Sequence, residues 1–318
     1  MITFDRKTID GAGAFLIGEL ERLDQNLHAP LTSVTWSRDI DLREDVSIAD
    51  ESSSFTNSAF AAAGGINPTG KSWIGKDTNS ITKMQLDIGK TAAPLFLWGM
   101  ELSYTIPELE SAIKLGRPID TQMYEGLVLK HNMDIDEMVY IGDTGLSKYG
   151  MLNHASVTYG NVAAGASTTR TWSTKTPDEI LADVNTLLTS CWAASAYAVC
   201  PGELRLPPAQ FAYINSQKIS SAGNVSILTF LEDNSISLRI NGTKLNIQPL
   251  KWLVGRGVGP SDRMVCYTKD KNRVRYPLVP LQRTPLEYRS IFQITTYFGR
   301  LGCVEVVYPE TMLYADGI

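Results

Sequence analysis

Residues 105–143, TIPELESAIKLGRPIDTQMYEGLVLKHNMDIDEMVYIGD, decide the fold class. Thr105 stands three residues before Glu108, the spacing of a capping box, and Pro107 falls in the first turn, where its missing N–H costs nothing. Leu109, Ala112 and Ile113 follow as an apolar face at helical spacing. Gly116-Arg117-Pro118 then interrupts the helix, because proline lacks a donor and disfavours helical geometry at the residue before it. A second helix is predicted from Ile119 to Ile141, roughly 35 Å long at ~1.5 Å per residue, and Gly142-Asp143 ends it. That is long for a domain of this size.

The same grammar recurs outward along the chain. Thr176-Pro177-Asp178-Glu179 opens a third helix through Ile180, Val184, Leu187, Leu188 and Cys191. Pro207-Pro208-Ala209 starts a short one through Phe211, Tyr213 and Ile214, and Ile227 to Leu231 reads as another. Toward the N-terminus, Phe15, Leu16, Leu20, Leu23 and Leu27 predict an arm helix over residues 10–27, ended before Pro30. Elsewhere the period is two. Val34, Trp36, Arg38, Ile40 and Leu42 alternate with Thr35, Ser37, Asp39 and Asp41, predicting a strand whose acidic face needs only solvent. Met84, Leu86 and Ile88 predict a second. Strands are expected to dominate from about Leu238, ending in a hairpin of Ile291–Phe298 and Cys303–Val307 about Gly299-Arg300-Leu301-Gly302. Helical clusters set among strands, without regular βαβ alternation, give an α+β protein.

Residues 50–80 are rich in Ser, Gly, Asn, Thr and Ala and poor in large hydrophobes. So long a stretch without a core of its own needs outside support, and it reads as an extended two-stranded excursion from the body.

Composition narrows the function. The 318 residues are 43% hydrophobic and 20% charged, which indicates a globular chain. A net charge of −5 argues against a general nucleic-acid binder, which needs a cationic excess. The longest apolar stretch near the start, Ala12 to Gly18, is too short to span a membrane, and the first ten residues lack the cationic lead of a secretory signal. Synthesis in a cytoplasm is expected. Cys191, Cys200, Cys266 and Cys303 never approach C-x-x-C spacing and are expected as buried reduced thiols. His28, His131 and His154 lie in unrelated contexts, and no G-x-S-x-G or H-E-x-x-H occurs. No cofactor, metal or catalytic residue is assigned.

Residues 65–72, Gly65-Ile66-Asn67-Pro68-Thr69-Gly70-Lys71-Ser72, fit the phosphate-binding pattern G-x-x-x-x-G-K-[ST]. The chemistry requires a buried strand before the loop and a helix directly after it. Neither is visible, so the match reads as a Gly-rich loop tip. A P-loop nucleotide hydrolase is kept as an alternative. Gly255-Arg256-Gly257-Val258-Gly259-Pro260 puts proline where a dinucleotide fingerprint needs its third glycine, and is a loop.

Charge is unevenly spread. Residues 251–300 hold ten Lys or Arg against three acids, a net of +7, leaving −12 for the remainder; residues 1–50 hold ten acids against five bases. The sharper reading is a basic face, including Lys269, Lys271, Arg273 and Arg275, that meets acidic surface on another copy in a ring-closing heterologous contact. The plainer reading is a solvated basic face.

Several strings together resemble the major capsid proteins of tailed bacteriophages with the Hong Kong 97-type fold. They are Leu102-Ser103-Tyr104-Thr105-Ile106-Pro107-Glu108-Leu109, Gly116-Arg117-Pro118-Ile119-Asp120, Ile141-Gly142-Asp143 with Tyr149-Gly150-Met151-Leu152-Asn153-His154, Leu206-Pro207-Pro208-Ala209-Gln210, and Val304-Glu305-Val306 through the final Ala315-Asp316-Gly317-Ile318. Pro107 replaces a commoner Gln, and Ala155 a commoner Pro.

The resemblance implies an N-terminal arm and first strand over 1–49 and an extended loop over 50–92 that lies across a neighbouring subunit. It further implies a peripheral domain over 93–174 with the long helix as its spine, an axial domain over 175–272, and return strands of the peripheral domain over 273–318. No N-terminal scaffold segment is expected before residue 10. The implied function is a structural subunit of an icosahedral capsid that assembles into hexamers and pentamers around viral DNA, without sequence-specific binding. Decoration, scaffolding and portal proteins are further implied partners, and the implied location is the virion, assembled in the bacterial cytoplasm. The candidate intersubunit contacts are Asn67, Lys71, Trp73, Lys269, Lys271, Arg273 and Arg275. An encapsulin-like nanocompartment shell is the alternative that shares the fold.

Overall fold

In the computed structural model the described residues are 32–63, 83–115, 119–220, 224–259 and 261–318. The arm helix predicted over 10–27, the Gly116-Arg117-Pro118 break, and Asn67, Lys71 and Trp73 with the phosphate-loop pattern lie outside them. The helices are α1 (Trp36–Asp39), α2 (Ile106–Leu115), α3 (Ile119–Tyr140), α4 (Pro177–Ala194), α5 (Pro208–Ser216), α6 (Ile227–Asn234) and α7 (Ile236–Asn241). The longer strands are β2 (Ser52–Ala63), β3 (Lys83–Pro94), β4 (Phe96–Thr105), β9 (Val274–Arg283) and β11 (Phe292–Leu301). Shorter ones are β1 (Asp41–Arg43), β5 (Thr158–Asn161), β6 (Glu203–Leu206), β7 (Asn246–Pro249), β8 (Arg263–Tyr267), β10 (Glu287–Arg289), β12 (Glu305–Val306) and β13 (Met312–Asp316).

Both capping boxes form. Thr105 N–H donates to Glu108 Oε2 at 3.0 Å and Glu108 N–H to Thr105 Oγ1 at 3.3 Å. At α4, Thr176 N–H donates to Glu179 Oε2 at 2.8 Å, and Thr176 Oγ1 accepts from Glu179 N–H at 3.4 Å. Each exchange satisfies two of the donors that a helix start leaves open. The end of α3 explains the string from Ile141 to His154. Gly142 sits at φ +77°, where a Cβ would lie 2.2 Å from the Lys148 carbonyl oxygen, and a Cβ on Gly150 would lie 2.4 Å from the Tyr140 backbone. Asn153 fastens the returning chain, donating from Nδ2 to the Ile141 carbonyl at 2.8 Å and accepting from Gly150 N–H at 2.7 Å.

Two cores share one wall. The five-stranded sheet, in order β5-β13-β8-β6-β7, alternates its side chains between them. Val265 and Tyr267 of β8 and Met312 and Tyr314 of β13 enter a core with Ile135, Val139 and Tyr140 of α3. Met264, Cys266 and Ala315 enter the other, with Ile180, Val184, Leu187 and Leu188 of α4 and Leu231 of α6. Period-two geometry delivers one strand to both faces, so β8 is buried throughout. The six-stranded sheet, β1-β9-β11-β10 with β12 on β9 and β4 on β11, extends the first core.

Three sequence expectations are corrected. Residues 36–39 make a single helical turn instead of a continuous strand from 34 to 42, because Asp136 takes the Thr35 and Trp36 N–H groups. Residues 236–241 are helical, with Ser235 Oγ accepting from Leu238 N–H at 3.4 Å and Gly242 ending the turn at φ +73°. The expected C-terminal hairpin does not form. Gly299, Arg300 and Leu301 continue β11 against Trp98, Leu97 and Phe96 of β4, and β12 pairs with β9 instead. A glycine inside a strand marked a close backbone approach: a Cβ on Gly299 would lie 3.0 Å from the Val279 carbonyl oxygen.

Candidate assembly site

β2 and β3 pair only with each other among the described residues, from Ser52↔Pro94 to Ala63↔Lys83. At about 3.4 Å per residue, twelve residues reach roughly 40 Å. Met84, Leu86 and Ile88 share one face of β3 and are 69%, 54% and 62% exposed. An isolated two-stranded ribbon is marginal in water, and a row of large apolar side chains calls for a covering surface.

The root of this hairpin is held firmly. Glu305, 2% exposed, accepts from Arg275 Nε at 2.7 Å, from an Arg43 guanidinium nitrogen at 3.2 Å, and from the Ser53 hydroxyl of β2. The same Arg43 nitrogen reaches the Ser54 carbonyl at 2.9 Å. Just past the end of β3, Arg300 donates to the Leu95 carbonyl at 3.2 Å, and ahead of β2 to that of Ile48 at 2.7 Å.

A second buried network fixes the segment where the chain enters. Asp39 was expected on a solvated face, yet it is fully buried. Its carboxylate accepts from Arg38 Nε at 2.6 Å, from Arg205 Nε at 2.9 Å and from the Tyr140 hydroxyl. Burial alone pushes this carboxyl upward, but the Arg38 hydrogen bond and the Arg205 charge hold it below the usual range. Arg205, also fully buried, donates to Glu203 at 2.6 Å and to the Asn246 carbonyl at 3.0 Å, and lies over the Tyr267 ring. Asp136 on α3 receives Thr35 N–H at 2.8 Å, Trp36 N–H at 3.0 Å and Trp252 Nε1–H at 2.7 Å. Sequence reading missed both networks. Their signal was a charge flanked on both sides by apolar residues, Leu204-Arg205-Leu206 and Val304-Glu305-Val306.

The predicted basic residues fall together near the β8–β9 turn, but most already have partners in the same subunit. Lys269 donates to the Arg38 carbonyl at 2.8 Å and lies 3.6 Å from Asp41; Arg273 pairs with Asp270 at 2.8 Å; Arg275 pairs with Glu305. Lys271 is exposed and forms no hydrogen bond or ion pair among the described residues.

Little else here points to chemistry. Met138, Val139 and Tyr140, an apolar run shortly before Asp143, lie within α3 and form no strand that could present an acid to a bound nucleotide. All four cysteines are buried and unpaired. Burial pushes the Cys200, Cys266 and Cys303 thiols up, away from the reactive thiolate. His131 stacks edge-on against Trp98 at 4.7 Å, and its buried Nε2 has no partner. Among the described residues, no group of three or more His, Cys, Asp or Glu could hold a metal ion.

The β2–β3 ribbon is thus rooted in the body and, among the described residues, pairs with nothing beyond itself. The family model described as major capsid protein matches residues 70–318. The chain belongs to the major capsid protein family. No curated protein matches it in sequence. Solved structures with the same fold include the capsid of Myoviridae phage XM1, with a TM-score of 0.74 and 17% identity, over 95% of this chain and 98% of that one. The capsid of a native GTA particle gives 0.60 at 11% identity, over 96% and 98%. Mycobacterium phage Bobi gives 0.59 at 12%, over 99% of both chains. This major capsid protein therefore has the Hong Kong 97-type fold that its sequence resembled, and it is a capsid subunit.

Proposed function

We propose that this capsid protein closes its shell by laying the β2–β3 hairpin on a neighbouring copy, in hexamers and pentamers that enclose viral DNA. The observation that carries this reading is the uncovered row of Met84, Leu86 and Ile88 on a ribbon too thin to support itself. In this reading residues 50–92 are the extended loop. Residues 93–174 and 273–318 form the peripheral domain along α3, and residues 175–272 form the axial domain at the centre of each ring. The net charge of −5 suits a shell from which DNA must later leave. Assembly takes place in the bacterial cytoplasm, and scaffolding, portal and decoration proteins join it there. Electron microscopy of purified particles, with a nucleic-acid assay, tests the reading. DNA-filled shells are expected, whereas a DNA-free shell loaded with a protein cargo would overturn it in favour of a nanocompartment.

A further inference from the structure

The hairpin leaves the body at a point where four strands converge on one carboxylate. Glu305 sits on β12 opposite Arg275 of β9, and Asp41 of β1 lies opposite the same Arg275 on the other side. Arg43, two residues further along β1, brings its guanidinium to Glu305 while also holding Ser53 Oγ at 2.9 Å and the Ser54 carbonyl. The Ser53 hydroxyl completes the loop by donating to Glu305. Glu305 is 2% exposed and Ser53 is 2% exposed, so water does not compete for these bonds. Two guanidiniums and a hydroxyl converge on this one acceptor, so its substitution takes a partner from all three. The β3 side is fixed separately, by the Arg300 bond to Leu95 and by Leu95 N–H donating to the Glu51 carbonyl at 2.9 Å.

We propose that Glu305 is a positioning residue for assembly: through Ser53 and Arg43 it sets the angle at which the hairpin leaves the body, and thereby the curvature of the shell. Leverage makes the root decisive. On a ribbon of roughly 40 Å, a change of about 5° at Ser53 moves the far end by about 3 Å, comparable to one residue of strand register. A contact made at the end of such a lever is therefore specified at its base. The proposal rests on the hairpin being the bridge to a neighbouring copy.

The test uses the full chain with Glu305→Gln, Glu305→Asp and Ser53→Ala. Ser53→Ala removes the two side-chain bonds of Ser53, one to Glu305 and one from Arg43, and leaves both arginine pairs and the Arg43 bond to the Ser54 carbonyl. It decides the matter where Glu305→Gln fails to fold. Expected for Ser53→Ala are an unchanged circular dichroism spectrum, at least about tenfold faster amide exchange at residues 52–56, as for the loss of two hydrogen bonds, and a broadened distribution of shell diameters. Glu305→Asp, which keeps the charge, lies nearer the unsubstituted protein than Glu305→Gln does. Folded variants that assemble into shells of unchanged, uniform diameter overturn the proposal. The bridging reading is tested apart from it by Met84→Ser/Leu86→Ser/Ile88→Ser, which leaves the root intact. Unimpaired assembly of that variant defeats the bridge itself, and with it the premise of the proposal.

Discussion

Asp39 Oδ1 lies 2.9 Å from Arg205 Nε, and neither side chain reaches solvent. One residue belongs to the segment that enters the body and the other to the sheet shared by both cores, so this pair ties the entry of the chain to the wall of the fold. Breaking a buried pair from one side leaves an uncompensated charge. Asp39→Asn is expected to cost about 3–5 kcal/mol, read as a shifted urea midpoint of the unassembled subunit. A loss below about 1 kcal/mol would show that Arg205 finds its compensation elsewhere.

Acid stability follows from two groups of opposite chemistry. Asp39 is held below the usual carboxylate range, so its contribution is complete above about pH 4 and is lost as pH falls through the folded value. His131 is pushed down by burial, against the pull of Asp134, so its neutral form supports the fold above about pH 6.5 and that support fades as pH falls further. His131→Phe keeps an aromatic ring against Trp98 and removes an unpartnered nitrogen. Urea midpoints measured from pH 8 to pH 5 should decline less in this variant than in the unsubstituted protein. A residual slope is expected from His154, which burial also pushes down. Identical slopes in the two proteins would remove His131 from the acid response.

The basic cluster separates by partner. Lys271→Glu is expected to leave subunit stability within about 0.5 kcal/mol, as an exposed change does, and to weaken assembly in a way that depends on salt. Arg275→Glu places a second carboxylate beside Glu305 and is expected to cost about 3–5 kcal/mol before assembly begins. Light scattering across salt concentrations, beside melting curves, distinguishes the two. Assembly of Lys271→Glu that is unaltered at every salt concentration takes Lys271 out of the contacts.

The thiols give a simple check on the two-core packing. Cys191 and Cys266 lie in the α4 core, and all four cysteines are buried. A thiol reagent should therefore modify none of them in the folded subunit and all four in denaturant. Rapid native modification of Cys191 or Cys266 would contradict the packing of α4 on β8.

Helix starts were the most legible part of the sequence, because a cap is local: Thr105 with Glu108 and Thr176 with Glu179 act within one turn. The β2 strand, at the start of the stretch read as an excursion, was legible from what its residues lacked, a core of their own. Strand partners were not. Gly299 to Gly302 read as a turn from the chain itself, whereas β9 and the more distant β4 hold Gly299 to Leu301 extended between them. Asp39 was misread for a related reason. Alternation placed it on a polar face, but the helical turn at 36–39 swung it onto Arg205, a residue 166 positions away. Buried charge pairs depend on contacts between distant segments, and only a charge flanked by apolar residues, as at Arg205 and Glu305, hinted at them.

Cryo-electron microscopy of particles formed by the full chain tests the central claim most directly. The account predicts closed shells in which the β2–β3 ribbon of each copy lies on its neighbour, with Met84, Leu86 and Ile88 buried beneath it. Closed shells in which that ribbon folds back on its own subunit, or a chain that stays monomeric under assembly conditions, would contradict it.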